Sequence, residues 1–102
     1  MANVYTVGQV NGYIKNMFVN DFFLNNLCVG GEVSNVKYHS SGHIYFSLKD
    51  STSSINGVMF KGNRSGLRFV LENGQKVIVK CSVGTYEREG KYQVYAREIT
   101  QD

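Results

Sequence analysis

The sequence has no proline, no tryptophan and only two cysteines, and each shortage closes off a class of protein. Cys28 and Cys81 stand far apart in no CxxC or CxxH spacing, which argues against a zinc site and leaves a buried pair of reduced thiols as the expectation. No apolar run approaches the ~18 residues of a membrane-spanning helix. The N-terminus lacks a basic stretch followed by a hydrophobic one, so no signal peptide is expected and the chain reads as cytoplasmic, without a membrane partner. Catalytic groups are equally scarce. Asp50 and Glu72 are the only acids near the middle, and each suits a turn or helix end. His39 and His43 flank one turn with no carboxylate or cysteine at ligand spacing. The serines of 51–54 have no base close in sequence. Lys61-Gly62-Asn63-Arg64-Ser65-Gly66 lacks the glycine spacing and the Lys-Ser/Thr ending of a phosphate loop. The chain is therefore expected to carry no catalytic residue, metal or cofactor of its own.

What is present is aromatic, glycine-rich and mildly basic. The 102 residues include seven Tyr, six Phe and eleven Gly, with a net charge of +3. That length gives one domain with a real core. Aromatics favour strands and are also the side chains on which bases stack; the glycines fit a β domain full of tight turns. The charge permits contact with nucleic acid without demanding it.

Along the chain, Thr6-Val7-Gly8-Gln9 has the form of a capping box. Val7, Val10, Ile14, Met17 and Phe18 follow at helical spacing, predicting an amphipathic helix of about three turns that closes one end of a barrel. Asp21 to Asn26 reads as one more helical turn capped by Asp21. The first strand is predicted over 27–37, with Gly30-Gly31 marking a bulge or sharp bend. Residues 43–49 alternate strictly: Ile44, Phe46 and Leu48 point to one face, and His43, Tyr45, Ser47 and Lys49 to the other. A third strand runs from Ile55 to Lys61 with apolar residues in both phases. Leu67, Val70 and Leu71 suggest a short helix ending at Asn73-Gly74. Val77, Val79, Cys81 and Val83 mark a fourth strand, and Tyr92 to Ile99 a fifth.

Five strands with a helix between the third and fourth is the order of the OB-fold, a five-stranded Greek-key barrel. The expected layout is an N-terminal helical extension over 1–26, packed on a barrel over 27–102. Ligands of such barrels lie across strands two and three, flanked here by loops 37–43 and 86–91. On that side the sequence interleaves cations with aromatic and imidazole rings: Lys37, His43, Tyr45, Lys49, Phe60, Lys61 and Arg64, joined by Arg88, Lys91 and Tyr92 at the last loop. Cations neutralise phosphates and aromatic faces stack bases, a combination that suits single strands better than duplex.

Tyr5-Thr6-Val7, Gly31-Glu32-Val33-Ser34-Asn35, the run from Ser41 to Asp50 (SGHIYFSLKD) and Val58-Met59-Phe60-Lys61-Gly62-Asn63 closely resemble the N-terminal domain of the bacterial exodeoxyribonuclease VII large subunit. The resemblance extends through Asn73 to Val77 and Gly90 to Val94. It implies an OB-fold that binds single-stranded DNA for a nuclease degrading such DNA to oligonucleotides. The family's catalytic and small-subunit-binding regions lie beyond such a domain, so these residues are expected to bind DNA without cutting it. The family's binding surface maps most directly onto Phe60 and Lys61, then Arg64. Where the family commonly has a proline before the basic residue of the last hairpin, this chain reads Tyr86-Glu87-Arg88-Glu89-Gly90. Two other readings are an anticodon-binding domain of a class II aminoacyl-tRNA synthetase and an assembly domain contacting other parts of the nuclease.

Overall fold

The computed structural model describes residues 2–102. Helix α1 spans Val7–Val19, and its start is the capping box: Thr6 Oγ1 accepts the Gln9 N–H at 3.0 Å, while Gln9 Oε1 accepts the Thr6 N–H at 2.8 Å. Five strands follow: β1 (Leu27–Tyr38), β2 (Ile44–Lys49), β3 (Ser54–Met59), β4 (Lys76–Tyr86) and β5 (Lys91–Gln101). They close in the order β1-β2-β3-β5-β4. All neighbours are antiparallel except β3 and β5, which pair in parallel at Gly57↔Val94 and Val58↔Tyr95. This is the OB-fold barrel anticipated from the order of elements.

β1 serves both halves of the barrel. Up to Glu32 it pairs with β4, and from Glu32 onward with β2, so Glu32 faces Lys76 on one side and Lys49 on the other. Gly31 sits at this change of partner, where a Cβ would stand 3.2 Å from the Lys49 carbonyl oxygen. The bend thus falls where the glycines place it, but the bulge does not. Register shifts between Ser34 and Lys37, around Asn35 at φ 53°, a left-handed conformation that asparagine tolerates better than most residues. The extra residue turns Lys37 onto the same outer face as its partner Tyr45.

The core is built from the inward phases: Val33 of β1, Ile44, Phe46 and Leu48 of β2, Met59 of β3, Val77, Val79, Cys81 and Val83 of β4, and Val94, Ala96 and Ile99 of β5, with Leu71 from the crossover. At Gly57 the inner face carries no side chain, and the Phe46 ring occupies the space. A cap on the β2–β3 turn comes from Asp50, whose carboxylate accepts the Thr52 and Ser53 N–H groups and the Thr52 hydroxyl. Those bonds hold its pKa below the ordinary aspartate value.

Four expectations need correction. The short helix is not at 67–71: a 3-10 helix occupies Lys61–Gly66, and the chain then runs irregularly to β4. Leu67 bridges to Ile99 and Leu71 enters the core, both in non-helical backbone. Asp21 to Asn26 forms a hydrogen-bonded turn instead of a helical one, although Asp21 Oδ1 does accept the Leu24 N–H at 2.9 Å. Cys28 is exposed, and only Cys81 is buried; both are free thiols. Finally, α1 lies against the β4–β5 hairpin, through Asn11 Nδ2 to the Glu87 carbonyl at 3.1 Å and Lys15 to Glu87 at 3.0 Å. Only Phe18 of its apolar stripe packs on the core, while Val7, Val10, Ile14 and Met17 remain exposed.

Candidate nucleic-acid interface

The outer faces of β2, β3 and β5 form the floor of an open groove of about 890 Å³, walled by the bulge of β1 and the tip of the β4–β5 hairpin. Its centre is Val58. In register Val58 pairs with Tyr45 on one side and Tyr95 on the other, all on the outer face. Val58 is nevertheless only 1% exposed, because large side chains around it cover it. This resolves the two apolar phases of β3. Met59 belongs to the core, and Val58 is the apolar floor of the groove.

Phe60 continues the Val58 phase just past β3 and is 42% exposed. Its ring lies between two others, 5.1 Å from His43 at 73° and 5.8 Å from Tyr95 at 37°. Tyr45 is 40% exposed and meets His39 edge-on at 6.0 Å. Tyr95 reaches this position because Gly84 lies beneath it: a Cβ there would come within 2.9 Å of the ring. The groove therefore presents half-exposed rings on a buried aliphatic base, a surface for flat ligands.

Polar groups lie beside the rings. Ser47, on the outer phase of β2 but 8% exposed, donates its hydroxyl to Asn56 Oδ1 at 3.1 Å and accepts from Asn35 Nδ2 at 3.5 Å. Lys37 and Lys91 bring positive charge to the two walls. The Lys91 ammonium lies 2.8 Å from the Glu89 carboxylate with both groups about half exposed, and an exposed pair of this kind is worth little and exchanges readily. Among the described residues, no group of three or more His, Cys, Asp or Glu side chains is placed to hold a metal ion.

The structure thus brings together four of the residues expected from sequence, Lys37, Tyr45, Phe60 and Lys91, as groove-lining side chains, with His43 against Phe60. The other five lie elsewhere. Lys61 has its stem over Gly42. Arg64 donates from Nη1 to the Gly42 carbonyl at 3.0 Å and lies 5.7 Å from the Tyr38 ring centre, so it braces the β1–β2 turn. Lys49 pairs with Glu32 at 3.4 Å and lines a different cleft with Asp50 and Lys76. Arg88 sits in the 3-10 turn Glu87–Glu89 at the hairpin tip, outside the groove wall. Tyr92 faces α1, with its ring 6.3 Å from Phe18. The alternation of 43–49 already puts Ser47 on this face, though not among the site residues; sequence reasoning missed Asn35, Asn56, Tyr86, Gln93 and Tyr95. Their shared signal is the outer phase of each strand, readable only once the bulge in β1 and the pairing of β3 with β5 are known.

Residues 5–100 match the family model described as an OB-fold nucleic acid binding domain. The chain belongs to that family. It is also 61% identical, over all 102 residues, to the exodeoxyribonuclease 7 large subunit of Lachnoclostridium phytofermentans, covering 100% of the chain and 25% of that protein. With the subunit of the same name from Clostridium perfringens (strain SM101 / Type A) it shares 55% identity over 94 residues, 92% of the chain and 24% of the relative. The chain thus spans about a quarter of the length of these relatives and corresponds to their N-terminal part. Among solved structures, a replication protein A heterotrimer bound to single-stranded DNA is similar with a TM-score of 0.60 at 15% identity, covering 76% of this chain and 57% of that one. An asparaginyl-tRNA synthetase from Pyrococcus horikoshii gives 0.57 at 20% identity, with 76% and 20% covered. At these identities the two structures speak to the fold alone.

Proposed function

We propose that this domain holds single-stranded DNA for an exodeoxyribonuclease VII large subunit, a nuclease whose cutting residues lie outside these 102 residues. The observation that carries this reading is the row of rings, half-exposed Tyr45 and Phe60 with the more buried Tyr95, over buried Val58 and between Lys37 and Lys91. Bases freed from a duplex lie flat on such rings, and the lysines neutralise the backbone beside them. A duplex keeps its bases stacked on one another and offers the rings nothing. The 61% identity to a large subunit of that name favours DNA over an anticodon stem-loop. On the same reading the protein works in the cytoplasm and joins the nuclease's small subunit through regions outside this domain.

The test is a fluorescence-anisotropy titration of the domain with labelled single-stranded DNA, the matching duplex and single-stranded RNA of the same sequence, at two salt concentrations. Saturable binding that prefers the DNA single strand and weakens with salt is expected. A preference for duplex, or for a structured RNA loop over unstructured DNA, contradicts the reading.

A further inference from the structure

One imidazole ties the β1–β2 turn to the start of the 3-10 helix. His43 Nδ1 accepts the Lys61 backbone N–H at 2.9 Å. An imidazole nitrogen that accepts carries no hydrogen, so this bond requires the neutral form of the ring with its hydrogen on Nε2. The same ring meets Phe60 edge-on at 5.1 Å, and Phe60 in turn lies 5.8 Å from Tyr95 in the groove. The turn beneath is braced from both sides. Arg64 holds the Gly42 carbonyl at 3.0 Å. Gly42, at φ 95°, passes so close under the Lys61 stem that a Cβ would stand 2.9 Å from Lys61 Cδ. His39 Nδ1 lies 2.8 Å from Ser41 Oγ, which itself accepts the His43 N–H at 3.3 Å.

We infer that His43 is a positioning residue for the groove: by accepting the Lys61 N–H in its neutral form it fixes Phe60 in its stacking position, and protonation of the ring weakens strand binding. The inference rests on the single-stranded DNA reading given above. Protonation places a hydrogen on Nδ1, where it faces the Lys61 N–H, so two donors oppose each other and the bond is lost. The ring then has to turn, and Phe60 loses its edge contact. The groups around His43 do not rescue the charged form. Lys61 and Arg64 on the 3-10 helix are cations, Tyr45 on β2 and Tyr95 on β5 offer phenol hydroxyls, and His39 in the same turn is an imidazole, so no carboxylate among them faces the ring.

The sign of the pH effect separates this role from a direct phosphate contact. A histidine that touches phosphate as a cation binds DNA more tightly in acid. A histidine that must be neutral to hold Phe60 does the reverse. The experiment measures affinity of the 102-residue chain for a fluorescein-labelled oligothymidylate at about pH 7.5 and about pH 5.5, at one ionic strength. The wild type is expected to lose affinity about fivefold in acid, the equivalent of one hydrogen bond of ~1 kcal/mol. His43→Asn, whose Oδ1 accepts the Lys61 N–H at either pH but which lacks the ring against Phe60, is expected to show no acid loss and to bind more tightly than His43→Leu at both pH values. His43→Leu is expected to be weak at both. In parallel, the Lys61 amide signal in a two-dimensional NMR spectrum should follow the titration of the His43 ring. Tighter binding in acid that disappears in His43→Asn, equal weakness of the Asn and Leu variants, or a Lys61 amide indifferent to His43 overturns the inference. A wild type that binds no DNA at the higher pH overturns the reading of the groove as well. One that binds without acid loss overturns the role of His43 alone.

Discussion

The Tyr38 hydroxyl and the Leu71 backbone satisfy each other twice: the phenol donates to the Leu71 carbonyl at 2.9 Å and accepts the Leu71 N–H at 2.7 Å. Tyr38 ends β1, whereas Leu71 is a core residue in the irregular crossover between β3 and β4. A single side chain thus performs, for that crossover, what strand pairing performs elsewhere in the barrel.

Tyr38→Phe should therefore destabilise the domain by about 1–2 kcal/mol, because two buried backbone groups lose their partner while the ring remains. Thermal unfolding followed by circular dichroism reads this as a Tm lower by roughly 5–10 °C. An unchanged Tm would show that water replaces the hydroxyl at no cost.

Gly57 is expected to tolerate no side chain. An added Cβ would lie 2.7 Å from two atoms of the Phe46 ring, and Phe46 is only 3% exposed. Gly57→Ala should cost about 1–3 kcal/mol through overpacking, measured by chemical denaturation. Adding Phe46→Leu should recover part of that loss, giving a coupling of about 0.5 kcal/mol or more in a double-mutant cycle. Strict additivity would place the strain somewhere other than between these two residues.

The two thiols should react very differently. Cys28 is exposed, and burial pushes the Cys81 thiol up, with Arg97 opposing the shift and Cys28 adding slightly to it. Since the thiolate is the reactive form, Ellman's reagent should titrate one thiol per folded chain and two in denaturant. Two fast thiols in the native protein would contradict the packing of β4.

How much of this was legible beforehand depends on how local each cause is. The cap at Thr6 and Gln9, the alternation of 43–49 and the bend at Gly31 rest on residues within a few positions of one another, and each is present in the structure. The segment 61–74 was misread because its apolar residues answer to distant partners. Leu67 meets Ile99, Leu71 meets Tyr38, and Gly66 passes so close to β5 that a Cβ would run into the Arg97 carbonyl oxygen. The 3-10 helix at Lys61–Gly66 is polar throughout and carries no periodic signal. The site was half legible for the same reason. Tyr45 and Phe60 follow the phase of their own strands. Tyr95 enters the groove only because β5 lies parallel to β3, and Arg97 is then an extra residue in β5, between Ala96 opposite Cys81 and Glu98 opposite Lys80. Lys49 shares the outward phase of Tyr45 and Ser47, but Glu32 holds it at another edge of the barrel, whereas Tyr92 follows the inward phase of Val94 and Ala96 and meets Phe18 of α1.

The central claim is that bases stack on the outer face of the barrel, and the most direct measurement is the affinity of Tyr45→Ala/Phe60→Ala for single-stranded DNA against that of the wild type. Both rings are half exposed, outside the core cluster, so the variant should keep its circular dichroism spectrum. With about 1–3 kcal/mol for each stacked base, affinity should fall roughly thirtyfold or more, with a salt dependence little changed because the lysines remain. A folded double variant that binds as tightly as the wild type would contradict the account and move the DNA to another face of the domain.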